Sequence, residues 1–469
     1  MDVPLQIYAP QKLWRTQVAS NLYATSNIVN ILDWGIKGDG VTDDAPAWQA
    51  LLTAVPDGSI ILVPDPTFVM ALGSTITMTD SKGVIITSDL DPRNGAGHAP
   101  TFKWIGANHG TMLSMIRCQN CHISGFVWRI QTGLTVDTAI NIDSTDGFGQ
   151  ISTQNAIQFC SFFFDTQTNS AAKVISIAAT STTNNENMDV WDCTIVLAPT
   201  SRPSAAGVGI FVGANANSKH HRFYRNIISN ATIGIHTLSG SCEIQYLEGG
   251  SNETDLVLLG GSEPIYVGHI ETEGSGRAID FIPGQAELDL ANCRLANAFQ
   301  TNTGGFVKID GAVTIRNCNF EDIPPVGGTC VEDRNTGQLR LTFFNNRFKT
   351  GTTYAETGLQ SFIGITDARS LVAFNNDGAN DFPGRFFLQL SGSMGLGSPQ
   401  GSEFGTPILL NPLTYLQLLN LGATPVVGTI AHISNSTTQV WGAVVGNGGG
   451  GGNPVLAWFN GANWTVIGA

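Results

Sequence analysis

Apolar positions return along residues 118–377 in one fixed phrase. An apolar residue is followed three positions later by a small or apolar anchor, and two positions further on by a second apolar residue. With anchors at Cys121, Cys160, Cys193, Asn226, Leu247, Gly268, Cys293, Cys318, Asn346 and Asn375, the first position holds Cys118, Ile157, Val190, Phe223, Ile244, Ile265, Leu290, Ile315, Phe343 and Val372. The last position holds Ile123, Phe162, Ile195, Ile228, Ile270, Leu295, Phe320 and Phe348, and breaks at Gly249 and Asp377. Anchors 21 to 39 residues apart that keep this register mark stacked repeats. The stretches are short, rich in Val, Ile, Phe and Thr, and bounded by Asn, Asp and Gly, which predicts strands. The two apolar offsets differ by an odd number, so a straight strand would point them to opposite faces. The chain must therefore bend between them. Asn120, Asp192, Asn292, Asn317 and Asn345, just before their anchors, are residues that tolerate a left-handed bend. The pattern predicts an all-β solenoid, a parallel β-helix with one residue column always inside.

Upstream the pattern changes. Residues 1–31 form a separate segment without a clear period, with spacing around Trp14 to Tyr23 that admits a short helix. After Asp43, Asp44 and Pro46, apolar Trp48, Leu51, Leu52 and Val55 recur at helical spacing, which predicts a capped amphipathic helix. Two glycine-bounded strand runs follow. Such a helix across the open end of a β-helix would cover backbone groups that otherwise recruit foreign strands. Downstream, residues 398–407 read as a linker, residues 407–422 are leucine-rich, and the remainder reads as strands around Gly448 to Gly452. That glycine run lacks the Lys-Ser or Lys-Thr of a phosphate loop and reads as a hairpin tip. The organisation predicted is a neck at 1–31, an opening segment with the capping helix at 32–117, the β-helix carrying the site at 118–397, and a small C-terminal β domain at 398–469.

Composition agrees with a long β surface. Only 13% of the 469 residues are charged and 42% are hydrophobic. A net charge of −14 argues against non-specific binding to nucleic acid or to anionic membranes. No run of eighteen apolar residues occurs, and the opening lacks a basic start and apolar core, so neither a membrane span nor a signal peptide is predicted. Five of the eight cysteines stand at anchors and Cys118 at the other inside position, where a small hydrophobe packs well. The CxxC formed by Cys118 and Cys121 has neither a helix N-terminus nor a second ligand pair, so no sulfur-based metal site, no disulfide and no cofactor are predicted.

The run Gly35-Ile36-Lys37-Gly38-Asp39-Gly40-Val41-Thr42-Asp43-Asp44, then a helix, then Ile60-Ile61-Leu62-Val63-Pro64, resembles the opening motif of pectate-lyase-like right-handed β-helix proteins, of which bacteriophage tailspikes with depolymerase activity are prominent members. The usual proline-glycine-x-tyrosine becomes Pro64-Asp65-Pro66-Thr67-Phe68 here. The resemblance spans about 40 residues, extended by the repeats to residue 375, and is specific for fold rather than chemistry. It implies a virion protein joined to the phage tail or baseplate by its N-terminus, acting on a bacterial surface polysaccharide. Asp39, Asp43 and Asp44 read as caps and turn formers. The C-terminal tail resembles β segments that close phage fibres where three chains meet, and the leucine run would be an apolar interface patch, which predicts a homotrimer.

On a β-helix, outward columns become ladders with a rung spacing of about 4.8 Å. Four before the anchors stand Asp189, Arg222 and Glu243; two before stand Trp191, Tyr224, Gln245 and Tyr266. Aromatics beside charges can carry the apolar face of a sugar while carboxylates and amides bind hydroxyls, although cross-strand packing gives the same pattern. Asp189 and Glu243, two rungs apart at roughly 9.6 Å, reach the inverting glycosidase separation of about 6.5–9.5 Å. Glu248 and His269 stack just past the bend with Glu271 two residues on, and a Glu pair one rung apart approaches the retaining distance of about 5.5 Å. The catalytic candidates are thus Asp189, Glu243, Glu248 and Glu271; the binding candidates are Trp191, Arg222, Tyr224, Gln245, Tyr266 and His269.

The first three repeat intervals, 39, 33 and 33 residues, exceed the later ones and add loops where binding concentrates. Lys219, His220, His221, Arg222 and Arg225 form a basic patch that would steer an anionic polysaccharide and support β-elimination with Tyr224 or a His as base; a solvated loop end fits equally. Three functions stand open: a carboxylate-dependent hydrolase, a polysaccharide lyase, and a receptor-binding spike that holds glycan without cutting it.

Overall fold

A computed structural model describes residues 28–88, 99–144, 152–164, 173–178, 185–197, 207–213, 219–238, 241–259, 263–282, 287–296, 306–321, 329–333, 341–349, 361–365, 371–374, 386–390, 403–404, 430–445 and 452–468. The chain divides into two compact units, 1–227 apart from residues 201–204, and 228–469 with that short segment. Each unit is wound as three parallel sheets, here called I, II and III, visited in turn by every coil. This is the predicted parallel β-helix, right-handed as parallel crossovers nearly always are.

The inside column of sheet I in the first unit runs Ile61, Ile86, Ile123, Ile157, Val190 and Phe223, each in register with the next and all buried. In the second unit it runs Ile244, Val267, Leu290, Ile315 and Phe343, likewise in register and buried, then pairs on to Ala373. Three expected members are displaced. Ile123 stands where Cys118 was expected, Val267 replaces Ile265, and Ala373 replaces Val372. Ile265 is itself buried, so a two-residue slip along one strand preserves the apolar phrase and leaves no mark in the hydrophobic pattern. Cys118 and Cys121 belong to the preceding corner, where their thiols donate to the carbonyls of Met78 (3.4 Å) and Ser81 (3.3 Å).

The bend between sheets I and II is left-handed. Asp192, Asn292, Asn317 and Asn345 have φ of 52°, 58°, 54° and 54°. Asn120, at 53°, turns the chain into sheet I instead. The same I–II corner carries Phe159, Arg225, Tyr246 and His269 in other coils, all at positive φ. Buried asparagines then tie coil to coil. Asn226 accepts from the Cys193 amide (3.1 Å) and donates to the Val190 carbonyl (2.9 Å), and Asn346 repeats this with Cys318 and Ile315 (both 2.9 Å). The anchor position thus holds a packed thiol in several coils and, at Asn226 and Asn346, an amide that satisfies backbone groups at the bend. Among the described residues seven cysteines are buried and form no disulfide, and burial pushes the Cys242 thiol up to about 12.

The helix, α1 (Ala45–Ala54), plugs the first unit. Trp48 is fully buried against Phe102 at 5.3 Å, the first ring of a sheet II stack that continues to Trp128 (4.6 Å) and Phe162 (5.9 Å). The Gln49 amide accepts from the Thr77 N–H (2.8 Å) and donates to its carbonyl (3.0 Å), satisfying the edge strand of sheet III as the capping role requires. The motif acids are structural. Asp44 is buried and accepts from the Lys37 and Gly38 amides, Asp43 from Ala45 and Gly73, and Asp39 from Val41 and Thr42.

Both ends of the predicted division shift. Ile28–Asn30, assigned to the neck, is already a sheet I strand paired with Ile60–Leu62. Glu403–Phe404, assigned to a linker, pairs with Val372 and Ala373, so the β-helix extends past residue 397. The antiparallel sheet of Ile430–Ser436, Asn453–Phe459 and Trp464–Gly468 packs its own core of Ile433, Val445, Val455, Phe459, Trp464 and Val466. The helix expected near Trp14, the leucine run and Gly448 to Gly451 lie outside the described residues.

Candidate functional site

Side chains that point away from the inside column form outward ladders, and register decides which of them meet. In the first unit Asp189 stands beside Arg222 and Trp191 beside Tyr224, as expected. The Arg222 guanidinium grips Asp189 with both arms (2.7 and 2.5 Å), and Arg225 grips the buried Asp192 at the corner in the same way (2.8 and 2.6 Å). Bidentate pairing of this kind fixes geometry and neutralises the carboxylate. The Trp191 indole N–H is enclosed and has no hydrogen-bond partner among the described residues. His221 overturns the basic-patch expectation: it lies wholly inside the coil, its ring nitrogen faces the Met188 amide at 3.4 Å, and burial holds its pKa near 3. It is neutral and unavailable as a surface cation. His122, absent from the sequence reading, shares the outward column with Asp189 across Ala156; burial lowers its pKa while Asp189 opposes that shift.

The second unit holds Glu243, Gln245, Glu248, Tyr266, His269 and Glu271. Tyr266 is not in the column of Gln245. It stands beside Glu243, followed by Asp289 on the next rung, while Gln245 pairs with Gly268. Gly268 is the reason the tyrosine lies as it does. A Cβ there would sit 2.8 Å from the Tyr266 hydroxyl and 3.0 Å from its ring, so the ring extends across the bare backbone of its own strand. Gln245 donates its amide to Glu243 Oε1. Arg316 donates to both oxygens of Asp289 at 3.0 and 2.9 Å. Burial raises the Tyr266 pKa, opposed by Arg316 and reinforced by Asp289 and Glu243. The result is an acid, an aromatic platform and a second acid on three successive rungs, so the two carboxylates are separated by roughly 9.6 Å of backbone rise.

Around the corner on sheet II, Glu248 stands directly beside Glu271, which stands beside Arg294. Arg294 donates to Glu271 and, at 3.0 Å, to Glu321. His269 does not stack on Glu248. It occupies the bend itself, stacked on Tyr246 with ring centroids 4.9 Å apart and planes 9° from parallel. Asp289 and Tyr246 are the neighbours that sequence reasoning missed. The first was visible four residues before the Cys293 anchor, at the same offset as Asp189, Arg222 and Glu243, and the second as a tyrosine at a bend that three later coils make with asparagine. No group of three or more His, Cys, Asp or Glu able to hold a metal is found among the described residues.

No protein-family model and no curated protein sequence matches the chain. Solved structures do. The Dettilon tailspike protein is 10% identical with a TM-score of 0.53, covering 96% of this chain and 85% of that one. A double mutant of the tailspike protein of E. coli bacteriophage HK620 is 11% identical with a TM-score of 0.53, covering 94% and 85%. Tailspike protein 3 of bacteriophage CBA120 is 11% identical with a TM-score of 0.52, covering 96% and 70%. Over nearly its whole length, then, this chain has the fold of these three phage tailspikes.

Proposed function

We propose that this chain is a phage tailspike, joined to the virion by its N-terminal segment and acting as a homotrimer, that binds and hydrolyses a bacterial surface polysaccharide. The observation that carries this reading is the column Glu243, Tyr266, Asp289. Two carboxyl groups flanking a sugar platform are the minimum for glycosidic hydrolysis, and their separation of roughly two rungs lies at the top of the inverting window. Asp289, oriented by Arg316, takes a proton from the water that attacks the anomeric carbon. Glu243 delivers a proton from Oε2 to the leaving glycosidic oxygen while Oε1 accepts the Gln245 amide. Tyr266, lying over Gly268, supports the apolar face of the ring between them.

A second arrangement is favoured by one observation of its own. Glu248 and Glu271 are one rung apart, which suits the retaining geometry, and Arg294 would orient Glu271 as nucleophile. Asp189, gripped by Arg222, fits a structural clasp better than a catalyst. β-Elimination is less well supported, because Arg294 and Arg316 on this face are already paired with carboxylates. Incubation with purified capsular or O-antigen polysaccharide separates the readings. Inverting hydrolysis gives new reducing ends, inverted anomers and no ultraviolet absorbance of an unsaturated uronate. Such absorbance would mean a lyase, and unchanged chain length would mean a pure receptor-binding spike.

A further inference from the structure

We infer that Tyr246 and His269 form a binding subsite for an uncharged pyranose of the glycan, outside the catalytic column. The inference rests on the glycan-binding function proposed above and adds the residues and the chemical class that this corner selects. It starts from backbone conformation. In the second unit the bend between sheets I and II is made by Tyr246, His269, Asn292, Asn317 and Asn345, with φ between 53° and 58°. Asparagine is the easy choice there, and tyrosine is among the poor ones, because its Cβ crowds the following carbonyl. Strained positions that a fold keeps are concentrated where a side chain is needed for something else.

The side chains make the same point independently. Tyr246 is 47% exposed, and His269 is exposed as well. Their rings stack in parallel, which fixes both before any ligand arrives and removes the ordering penalty that flexible surface residues incur on binding. The pair offers a phenol hydroxyl and imidazole nitrogens one rung apart, matched to the hydroxyls of a sugar, with ring edges for its C–H groups. Asn292 and Asn317, joined amide to amide at 3.1 Å, extend the strip in the same polar, uncharged chemistry.

Charge then selects the sugar. Glu243, Glu248 and Glu271 lie on the strands that lead into and out of this bend, while the guanidiniums of Arg294 and Arg316 on the following coils are paired with Glu271, Glu321 and Asp289. A uronate or sialate would meet repulsion here, whereas a neutral hexose or N-acetylhexosamine would not.

The test is Tyr246→Asn on the full chain, placing at the bend the residue that three later coils use. Wild type and variant are compared by thermal melting and by binding to a panel of purified bacterial polysaccharides, some neutral and some uronate-bearing. The expected result is retention of a neutral polysaccharide by wild type, about tenfold or greater loss of affinity in the variant, and a melting temperature unchanged or higher. His269→Asn should behave the same way. A lowered melting temperature with unchanged affinity would make the stacked pair mere packing and overturn the subsite alone. Wild-type binding confined to uronate-bearing polymers overturns the neutral-sugar assignment, and binding to none overturns the proposed function together with it.

Discussion

Asp255→Asn should abolish a pH dependence of stability that the second unit carries in its interior. Asp255 is 0% exposed, on a sheet III strand, and its carboxyl fills the space left by Gly249, where a Cβ would lie 2.4 Å from Oδ1. Oδ1 accepts from Asn252 (2.7 Å) and Ser275 (2.9 Å), while Oδ2 has no partner among the described residues. Burial pushes its pKa from 3.8 up to about 7, more than the two hydrogen bonds pull it back. Between those values the folded chain holds a proton that the unfolded chain releases, so stability falls as pH rises. The contribution is present in full below about pH 4 and is lost through about pH 7. A shift of about 3 pH units at 1.36 kcal/mol each corresponds to about 4 kcal/mol. Asparagine keeps the size and the Oδ1 acceptor but cannot ionise. Urea unfolding of both proteins at several pH values from about 4 to 8 isolates this group as the difference between two curves. The wild type should lose about 4 kcal/mol relative to the variant across that range. A difference flat to within about 1 kcal/mol would refute the claim that a proton is held there.

Glu243→Gln and Asp289→Asn should each lower the hydrolytic rate by about a hundredfold or more with binding retained, read as kcat against KM; an unchanged rate in either removes that residue from the mechanism. Gly268→Ala places a Cβ 2.8 Å from the Tyr266 hydroxyl, so the ring must leave its platform. Glycan affinity should fall while the far-ultraviolet circular dichroism spectrum stays that of wild type. Asn226→Ala strips partners from the buried Cys193 amide and Val190 carbonyl, and should cost about 2–4 kcal/mol of unfolding free energy in denaturant titration.

The inside of this protein was legible because burial writes a period into the sequence. Val190, Phe223, Leu290, Ile315 and Phe343 were assigned to one column from spacing alone, and they share it in register within each unit. The bends were legible where asparagine or aspartate stands at them, since their left-handed preference is a property of the residue itself. Gly249, a gap in an otherwise apolar column, was the visible trace of Asp255, but nothing local says which distant side chain fills a missing one.

The outside was harder for a reason that follows from the same geometry. Outward residues answer to no solvent constraint, so their neighbours can be known only from the register of the inside column. Ile265 and Val267 are both buried and two apart, and choosing the wrong one moves every outward residue of that strand by one ladder position. With the slip, Tyr266 joins Gln245 in an aromatic row and Pro264 stands between Glu243 and Asp289. Without it, Glu243, Tyr266 and Asp289 fall on one line. A rigid solenoid therefore turns one residue pairing into a different proposed chemistry, and Gly268→Ala, which displaces Tyr266 from its place between the two acids, tests that pairing most directly.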